Sequence, residues 1–319
     1  YSATTTALLY LDGVVYQPIC EEMRKRLNAF EVDGIEDSGM IEYLTRKKKE
    51  GRFPVYQTTE RPDRAAQAIL EGRVVLLTDN SPEALIFPAT LNSLFQTADD
   101  YYRNERIVTF LRLIRYVAAF LALALPGLYV AAATFHPQLL PGNLIRSMAE
   151  ARSGVPFPTA AEVLLMELSF ELLREAGLRM PGPAGNTIGI VGGLIVGQAA
   201  VSANLVSPIT VTVAALTALG SFSIPNEELS EVFRLWKYGI LLLGSCFGIL
   251  GVMLGCFLLL MLMAEQESYG IPWLYPYVGG NLNERADEKD SMFLAAARKR
   301  KRRPIFAKWG NRIRFRRKS

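Results

Sequence analysis

The sequence predicts two structural classes in one chain: a small mixed α/β soluble domain at the front, followed by an all-α polytopic membrane domain. Three observations carry this reading. Residues 116–145, 180–226 and 238–264 contain no charged side chain, although charged residues make up 21% of the 319-residue chain. A spanning helix needs roughly 20 consecutive, mostly apolar residues, and each run is long enough to supply one. The first hundred residues instead alternate short apolar runs with amphipathic ones, the pattern of mixed strands and helices. Charge is divided as well: residues 1–100 hold sixteen acidic and eleven basic side chains, so the remainder carries +9 of an overall +4. The expected organisation is an α/β domain at 1–100, a juxtamembrane connector at 101–115, a membrane domain at 116–264 with about four crossings, and a basic cytoplasmic tail at 265–319. The start at Tyr1, without an initiator Met or a signal-like leader, suggests a piece of a longer chain.

Taken in order, residues 6–16 read as a strand and its exit, with Asp12-Gly13 as the turn. Residues 20–30 form an amphipathic helix with Met23, Leu27 and Phe30 inward, and residues 37–44 a second one capped by Asp37 or Ser38. Arg46-Lys47-Lys48-Lys49 is either a solvated face or a contact for anionic lipid. Pro62 suits the first turn of a further helix that ends at Gly72. Residues 73–79 come next as a strand apolar enough to be covered on both faces. Asp12 and Asp79 both come after strands, but two separate aspartates without a ligand pattern read as turn caps. Phe87, Leu91, Leu94 and Phe95 have helical spacing.

Arg103, Arg106, Arg112 and Arg115 precede the first span, residues 116–134, and place its near side in the cytoplasm. Pro126-Gly127 can kink that span. His136, the only histidine, stands at its boundary with no acid–base partner in sequence. Residues 159–176 form a helix with Glu162, Glu167, Glu171 and Glu175 among apolar residues. Such a helix lies at the interface, re-enters, or lines a wet vestibule where Glu162, Glu167 and Glu171 concentrate cations. The charge-free centre then holds a helical pair broken near residues 204–208. Gln198, Ser202, Asn204, Ser207, Pro208 and Thr210 are its pore or gate candidates. Polar side chains at membrane depth must face other helices or water, so they serve either as packing contacts or as a polar path. Residues 238–264 form the last span, with Gly244, Gly248, Gly251 and Gly255 in small-xxx-small spacing. Residues 298–318 carry twelve Lys or Arg and no acid, which keeps the tail cytoplasmic and requires an even number of crossings. Because it comes after a membrane span, the tail's anionic partner is lipid and not nucleic acid. The three cysteines make no disulfide framework, and no His/Cys cluster, phosphate loop or nucleophile motif suggests a metal, a cofactor or an enzyme.

Several longer motifs resemble one family. They are Thr59-Glu60-Arg61-Pro62-Asp63, Leu70-Glu71-Gly72-Arg73, Phe95-Gln96-Thr97-Ala98-Asp99-Asp100-Tyr101-Tyr102, Thr134-Phe135-His136-Pro137, Arg152-Ser153-Gly154-Val155-Pro156-Phe157-Pro158, the stretch from Met166-Glu167-Leu168 to Glu175-Ala176-Gly177, Ile190-Val191-Gly192-Gly193-Leu194 and Ser221-Phe222-Ser223-Ile224-Pro225. The chain resembles the A subunit of GerA-type bacterial spore germinant receptors over nearly its whole length. It departs from the family's habit at Leu168, at Ala203-Asn204 and in its very basic tail. The resemblance implies that residues 1–100 are the C-terminal part of a larger cytosolic domain. It further implies a spore inner-membrane location, a transporter-like B subunit and a lipoprotein C subunit as partners, and self-association as a pentamer. The function implied is a gated channel that releases monovalent cations to trigger germination. A non-conducting, signal-transmitting scaffold is the alternative. A secondary transporter would be expected to show an inverted repeat, which the sequence lacks.

Overall fold

The computed structural model describes residues 4–47, 50, 52–179, 184–278, 290–296, 299–300, 302–308 and 313, with backbone alone at 184–191 and 194. Lys48 and Lys49 of the basic patch, residues 180–183 of the central run and most of the basic run 298–318 lie outside the described residues. Two compact units are present: Tyr1–Tyr116 with Pro225–Leu229 and Leu260–Ser319, and Val117–Ile224 with Ser230–Leu259.

The first unit contains β1 (Thr6–Leu9), α1 (Gln17–Leu27), α2 (Ser38–Thr45), β2 (Gln57–Thr59), α3 (Pro62–Leu70), β3 (Val74–Thr78), β4 (Ala84–Phe87) and α4 (Leu91–Phe95). The strands form one antiparallel sheet in the order β1-β3-β4-β2. Local chemistry starts α2 and α3 where the sequence suggests, whereas α1 covers Gln17–Leu27 instead of residues 20–30 and leaves Phe30 beyond its end. The Asp37 side chain accepts from the Gly39 N–H at the head of α2, and Pro62 opens α3. Gly72 (φ +92°) ends α3 in the left-handed region, where a Cβ would also meet Ala307. Asp12 and Asp79 accept from the N–H groups of Gly13 and Asn80, the turn role expected of them.

The sheet is covered on both faces, as the near-continuous apolar character of 73–79 predicts. Val74, Leu76, Leu85 and Phe87 join Ile19, Met23, Ile41 and Tyr56 in one core, while Val75 and Ile86 meet Ala68 of α3 in another. The period of two along β3 and β4 separates these sets. One expectation is corrected here: Phe87 does not belong to a helix with Leu91, Leu94 and Phe95. Residues 84–87 are a fully buried strand, and Pro88 biases the residue before it away from helical geometry.

Residues 265–278 and the described residues between 290 and 308 also build this unit, in part through a two-stranded hairpin, β5 (Glu267–Ser268) and β6 (Ile271–Pro272). Tyr269, Ile271, Tyr275 and Phe306 sit in the larger core. Trp273 is fully buried, packs against Phe53 with ring centroids 4.9 Å apart and the rings tilted by 31°, and donates its indole N–H to the Pro54 carbonyl at 2.7 Å. The Lys308 N–H reaches the Val14 carbonyl at 2.7 Å. Charge alone describes this stretch as a tail, whereas its aromatic residues supply apolar area to a folded domain.

The second unit is helical: the later part of α5 (Glu105–Thr134), then α6 (Gly142–Ala151), α7 (Thr159–Leu178), α8 (Ala184–Ser202), α9 (Pro208–Phe222), most of α10 (Glu227–Phe247) and most of α11 (Ile249–Glu265). Close approaches at small residues fix the directions. Gly197 of α8 faces Val211 of α9, Gly220 of α9 faces Ala118 and Ala122 of α5, and Gly127 of α5 faces Ile240 of α10 and Val252 of α11. With the side-chain pairs below, α5, α8 and α10 run one way and α7, α9 and α11 the other.

Among the described residues, α5 is the one helix long and apolar enough to cross a membrane by length and composition; α9 and α11 are apolar but shorter. The break expected near 204–208 is present, with Asn204 at φ +52°. The expected single span at 238–264 is corrected: Gly248, at φ +64°, ends α10 and turns the chain back into α11. Gly244 then faces Val252, and Gly255 faces Ile240. The small-xxx-small glycines pack one helix of a hairpin against the other, where sequence alone reads them as the seam between separate spans.

Candidate functional site

The polar centre of the helical unit is α7, which carries Glu162, Glu167, Glu171 and Arg174 between neighbouring helices. Each of these three glutamates is met by a cation of the same chain. Glu162, fully buried, accepts from Arg152 Nε at 3.2 Å, the Ser207 N–H at 2.9 Å and Thr210 Oγ1 at 3.1 Å. Ser207 also caps α9, accepting from the Thr210 N–H at 3.3 Å, and Pro208 occupies the first turn. The Glu162 carboxylate therefore sits at the N-terminus of α9, where unpaired N–H groups and the helix dipole favour an anion. Tyr129 from α5 extends the cluster, its hydroxyl 3.4 Å from that of Thr210.

One turn and a half further along α7, Glu167 pairs with Lys237 of α10 at 2.6 Å, both side chains at most 6% exposed. The Tyr238 hydroxyl donates to the Glu167 backbone carbonyl at 3.4 Å. Glu171 pairs with Arg234, which also approaches Glu231 at 3.6 Å. Arg174 donates to Ser221 of α9 at 3.2 Å and lies over the Phe222 ring. The i, i+4 spacing of Glu167 and Glu171 thus meets the i, i+3 spacing of Lys237 and Arg234 across an antiparallel helix pair.

This arrangement joins some of the residues singled out from sequence and separates others. Glu162, Ser207 and Thr210 come together, and Pro208 sets the start of the helix they share. Gln198, Ser202 and Asn204 lie exposed on the last turn of α8 and the turn after it, away from that cluster. The three glutamates do not present an open acidic field within one chain, because Arg152, Lys237 and Arg234 offset them. Sequence reasoning missed these three cations, and Tyr129 with them. Residues 227–237 look like a polar helix outside the apolar core, and only the register with α7 reveals their partners. Among the described residues no group of three His, Cys, Asp or Glu could hold a metal ion.

His136 lies just beyond the end of α5 and touches the turn at Gly248, where an added Cβ would come within 2.9 Å of its ring. At the near end of α5, in the first unit, Arg112 donates to Asp100 at 3.1 Å and to Asp290 at 2.9 Å. Arg115 donates to both oxygens of Asp100. Burial would raise the Asp100 pKa, but Arg115 and Arg112 outweigh it and hold the carboxyl below its ordinary value. Two of the four arginines read from sequence as topology signals, Arg112 and Arg115, are therefore also folded into a buried ion-pair network, while Arg103 and Arg106 are exposed.

Comparison with known proteins agrees with the motifs. The chain is 40% identical over 293 residues to the uncharacterized membrane protein YfkQ of Bacillus subtilis (strain 168), covering 92% of this chain and 56% of that protein. It is 39% identical over 270 residues to spore germination protein A1 of the same organism, covering 85% and 56%. With spore germination protein GerQA of Bacillus cereus it shares 36% identity over 314 residues, covering 98% and 62%. The chain thus spans a little over half the length of the relatives it matches. No solved structure matches it. The family described as Bacillus/Clostridium GerA spore germination protein matches residues 1–306, and the chain belongs to that family.

Proposed function

We propose that this chain comprises the membrane-embedded portion of a nutrient germinant receptor A subunit with the adjoining part of its cytosolic domain, at the spore inner membrane, and that its assembled form is a gated path for monovalent cations. Support comes from family membership together with one observation: a charged and hydroxyl-bearing seam runs through an otherwise apolar helical unit. Ionisable groups at such depth carry a cost and mark ion paths or switching elements. In this reading the alternating helices cross the membrane several times, and their even number returns the chain to the side it left. Both the first unit and the tail are then cytoplasmic, and the basic run contacts anionic lipid. The partners are further copies of this subunit, as a pentamer, with a transporter-like B subunit and a lipoprotein C subunit.

Gln198, Ser202 and Asn204, polar and exposed in one chain, line the path between copies. Ser207, Pro208 and Thr210, held by Glu162, set the break at which the path opens. Nutrient occupancy in the B subunit biases a closed–open equilibrium of the ring by its different affinity for the two states. The test is potassium flux from liposomes holding the full-length A, B and C proteins. Gln198→Leu should reduce nutrient-triggered flux while leaving assembly intact. Asn204 is a less clean target for leucine, because its left-handed backbone would add strain to any loss of polarity.

The ion pairs of Glu162, Glu167 and Glu171 with Arg152, Lys237 and Arg234 favour a second reading, a non-conducting subunit that transmits the nutrient signal through α7 and α10. Assembled, nutrient-binding receptors that pass no ions under any gradient would select it.

A further inference from the structure

Away from the helical unit, the first unit holds a cavity of about 40 Å³ bordered by Glu71, Arg73, Tyr101, Asp290, Arg300 and Arg302. That volume exceeds what a single water needs, by the measure of roughly 10–15 Å³ per water. Two more arginines stand behind its wall. Arg64 shares the Gln57 side-chain oxygen with Arg73, at 3.3 and 3.4 Å. Arg112 shares Asp290 with Arg300, at 2.9 and 3.4 Å.

Acceptors are in deficit here. Arg64 Nε and Nη1, Arg73 Nε, Arg112 Nη2 and Arg300 Nε are buried with no hydrogen-bond partner among the described residues. The nearest carboxylate to Arg73, that of Glu71, stands at 3.8 Å, and its other oxygen is taken by Gln67. Asp290 divides its carboxylate among Arg112, Arg300 and the Tyr101 hydroxyl. Arg73 is 3% exposed and lies 4.4 Å from the centre of the Phe306 ring, and burial pulls its pKa down to about 10. A buried cation is ordinarily paired. Two arginines on the cavity wall with spare buried donors, Arg73 and Arg300, backed by two more that share their acceptors, Arg64 and Arg112, are the complement of an anion.

We propose that this cavity binds a tetrahedral oxyanion of the phosphate class, held by Arg73 and Arg300 with Arg302 at the rim. A carboxylate offers two oxygens in one plane, whereas the lining arginines come from separate parts of the chain, Arg73 just ahead of β3 and Arg300 and Arg302 more than two hundred residues later. A phosphate offers oxygens in several directions and is the usual match for guanidinium forks. The bound anion ties the segment that carries Arg300 and Phe306 to Arg73 beside the sheet, so occupancy sets how firmly the end of the chain is held to its domain. This inference does not depend on whether the helical unit conducts.

The experiment uses the full-length protein in phosphatidylcholine nanodiscs and follows thermal unfolding by intrinsic fluorescence while inorganic phosphate is titrated against sodium chloride of equal ionic strength. A ligand that binds only the folded state raises the midpoint saturably. Arg300→Gln, at the edge of the cavity, should still unfold cooperatively without phosphate, from whatever midpoint the lost Asp290 contact leaves it, and should weaken the apparent phosphate affinity about tenfold or more, the scale of one charge-assisted hydrogen-bonded contact. Arg73→Lys keeps the charge, loses the fork and should weaken it likewise. Nanodiscs containing phosphatidic acid identify the source: a lipid headgroup in the site abolishes the further shift from added phosphate, whereas a site for free phosphate keeps it. Equal shifts with phosphate and chloride, or a phosphate response unchanged in folded Arg300→Gln, would overturn the proposal and leave the cavity to water.

Discussion

At the scale of single residues, the informative feature is how buried charges are compensated. Glu167 and Lys237 are both nearly inaccessible and 2.6 Å apart. Removing one member of such a pair strands the other, at a cost of about 3–5 kcal/mol, whereas replacing both with apolar groups of similar size is often neutral. Glu167→Leu and Lys237→Met should therefore each lower stability strongly, and the double variant should recover most of the loss. Unfolding of the purified protein in detergent, arranged as a double-mutant cycle, measures this. If the losses simply add, the pair is not coupled. Asp100 gives a pH test. Its folded pKa is depressed by Arg115 and Arg112 against the opposing effect of burial. Its stabilisation is complete above the unfolded aspartate value of about 3.9 and is lost as pH falls through the lower folded value. The unfolding midpoint of the first unit should drop below about pH 4, and Asp100→Asn should make that drop shallower.

Among the helices and strands, glycines discriminate between a hairpin and a continuous span. In the α10–α11 hairpin, a Cβ on Gly251 would land on the Leu243 carbonyl, whereas one on Gly239 meets nothing within 4 Å. Gly251→Ala should disrupt the hairpin and lower the yield of folded protein. Gly239→Ala should be neutral or stabilising by about 0.5–1 kcal/mol, as expected for glycine replaced in a helix interior. Expression level and thermal midpoint of the two variants decide it. Elements are legible in sequence where their chemistry is local. The Asp37 cap, Pro62 at a helix start, Gly72 at a helix end and the 204–208 break are all of this kind. The strand at 57–59 is not, since Gln57, Thr58 and Thr59 show no apolar alternation and are placed by pairing with β4. Nor is the turn at Gly248, because a glycine that packs a helix and a glycine that reverses one look alike without φ. The candidate site divides in the same way. Its glutamates and hydroxyls are visible as polar exceptions in apolar surroundings. Their partners Arg152, Lys237 and Arg234 are not, because each pair is separated by ten to seventy residues in sequence.

For the molecule as a whole, the chain order within the first unit matters most. Its core combines Ile19, Tyr56 and Phe87 with Tyr269, Tyr275 and Phe306. Trp273→Ala should therefore destabilise that unit by about 3–5 kcal/mol, the usual cost of truncating a large buried aromatic. Ending the chain after residue 264 should leave the front domain open to limited proteolysis, with cleavage in the α1–α2 region that covers the exposed core. An unchanged digestion pattern in that truncation would show that residues 265–308 are dispensable to the fold. Compositional reasoning could not see this, because the basic run at 298–318 dominates the character of residues 265–319, whereas Tyr269, Trp273 and Tyr275 lie in a stretch, 265–284, without Lys or Arg.

A domain whose two halves flank the helical unit in sequence cannot complete itself while the chain is being made. Residues 1–116 leave the ribosome before the helical unit does, but the strands around Leu76 and Phe87 must wait for Tyr269 and Phe306, some two hundred residues later. Domains ordinarily fold as units from the N-terminal end during synthesis. Here closure of the front domain reports that every helix between its halves has already been translated. Until then its half-built core is a natural target for chaperones and proteases, so assembly of this protein carries its own checkpoint in the order of its residues.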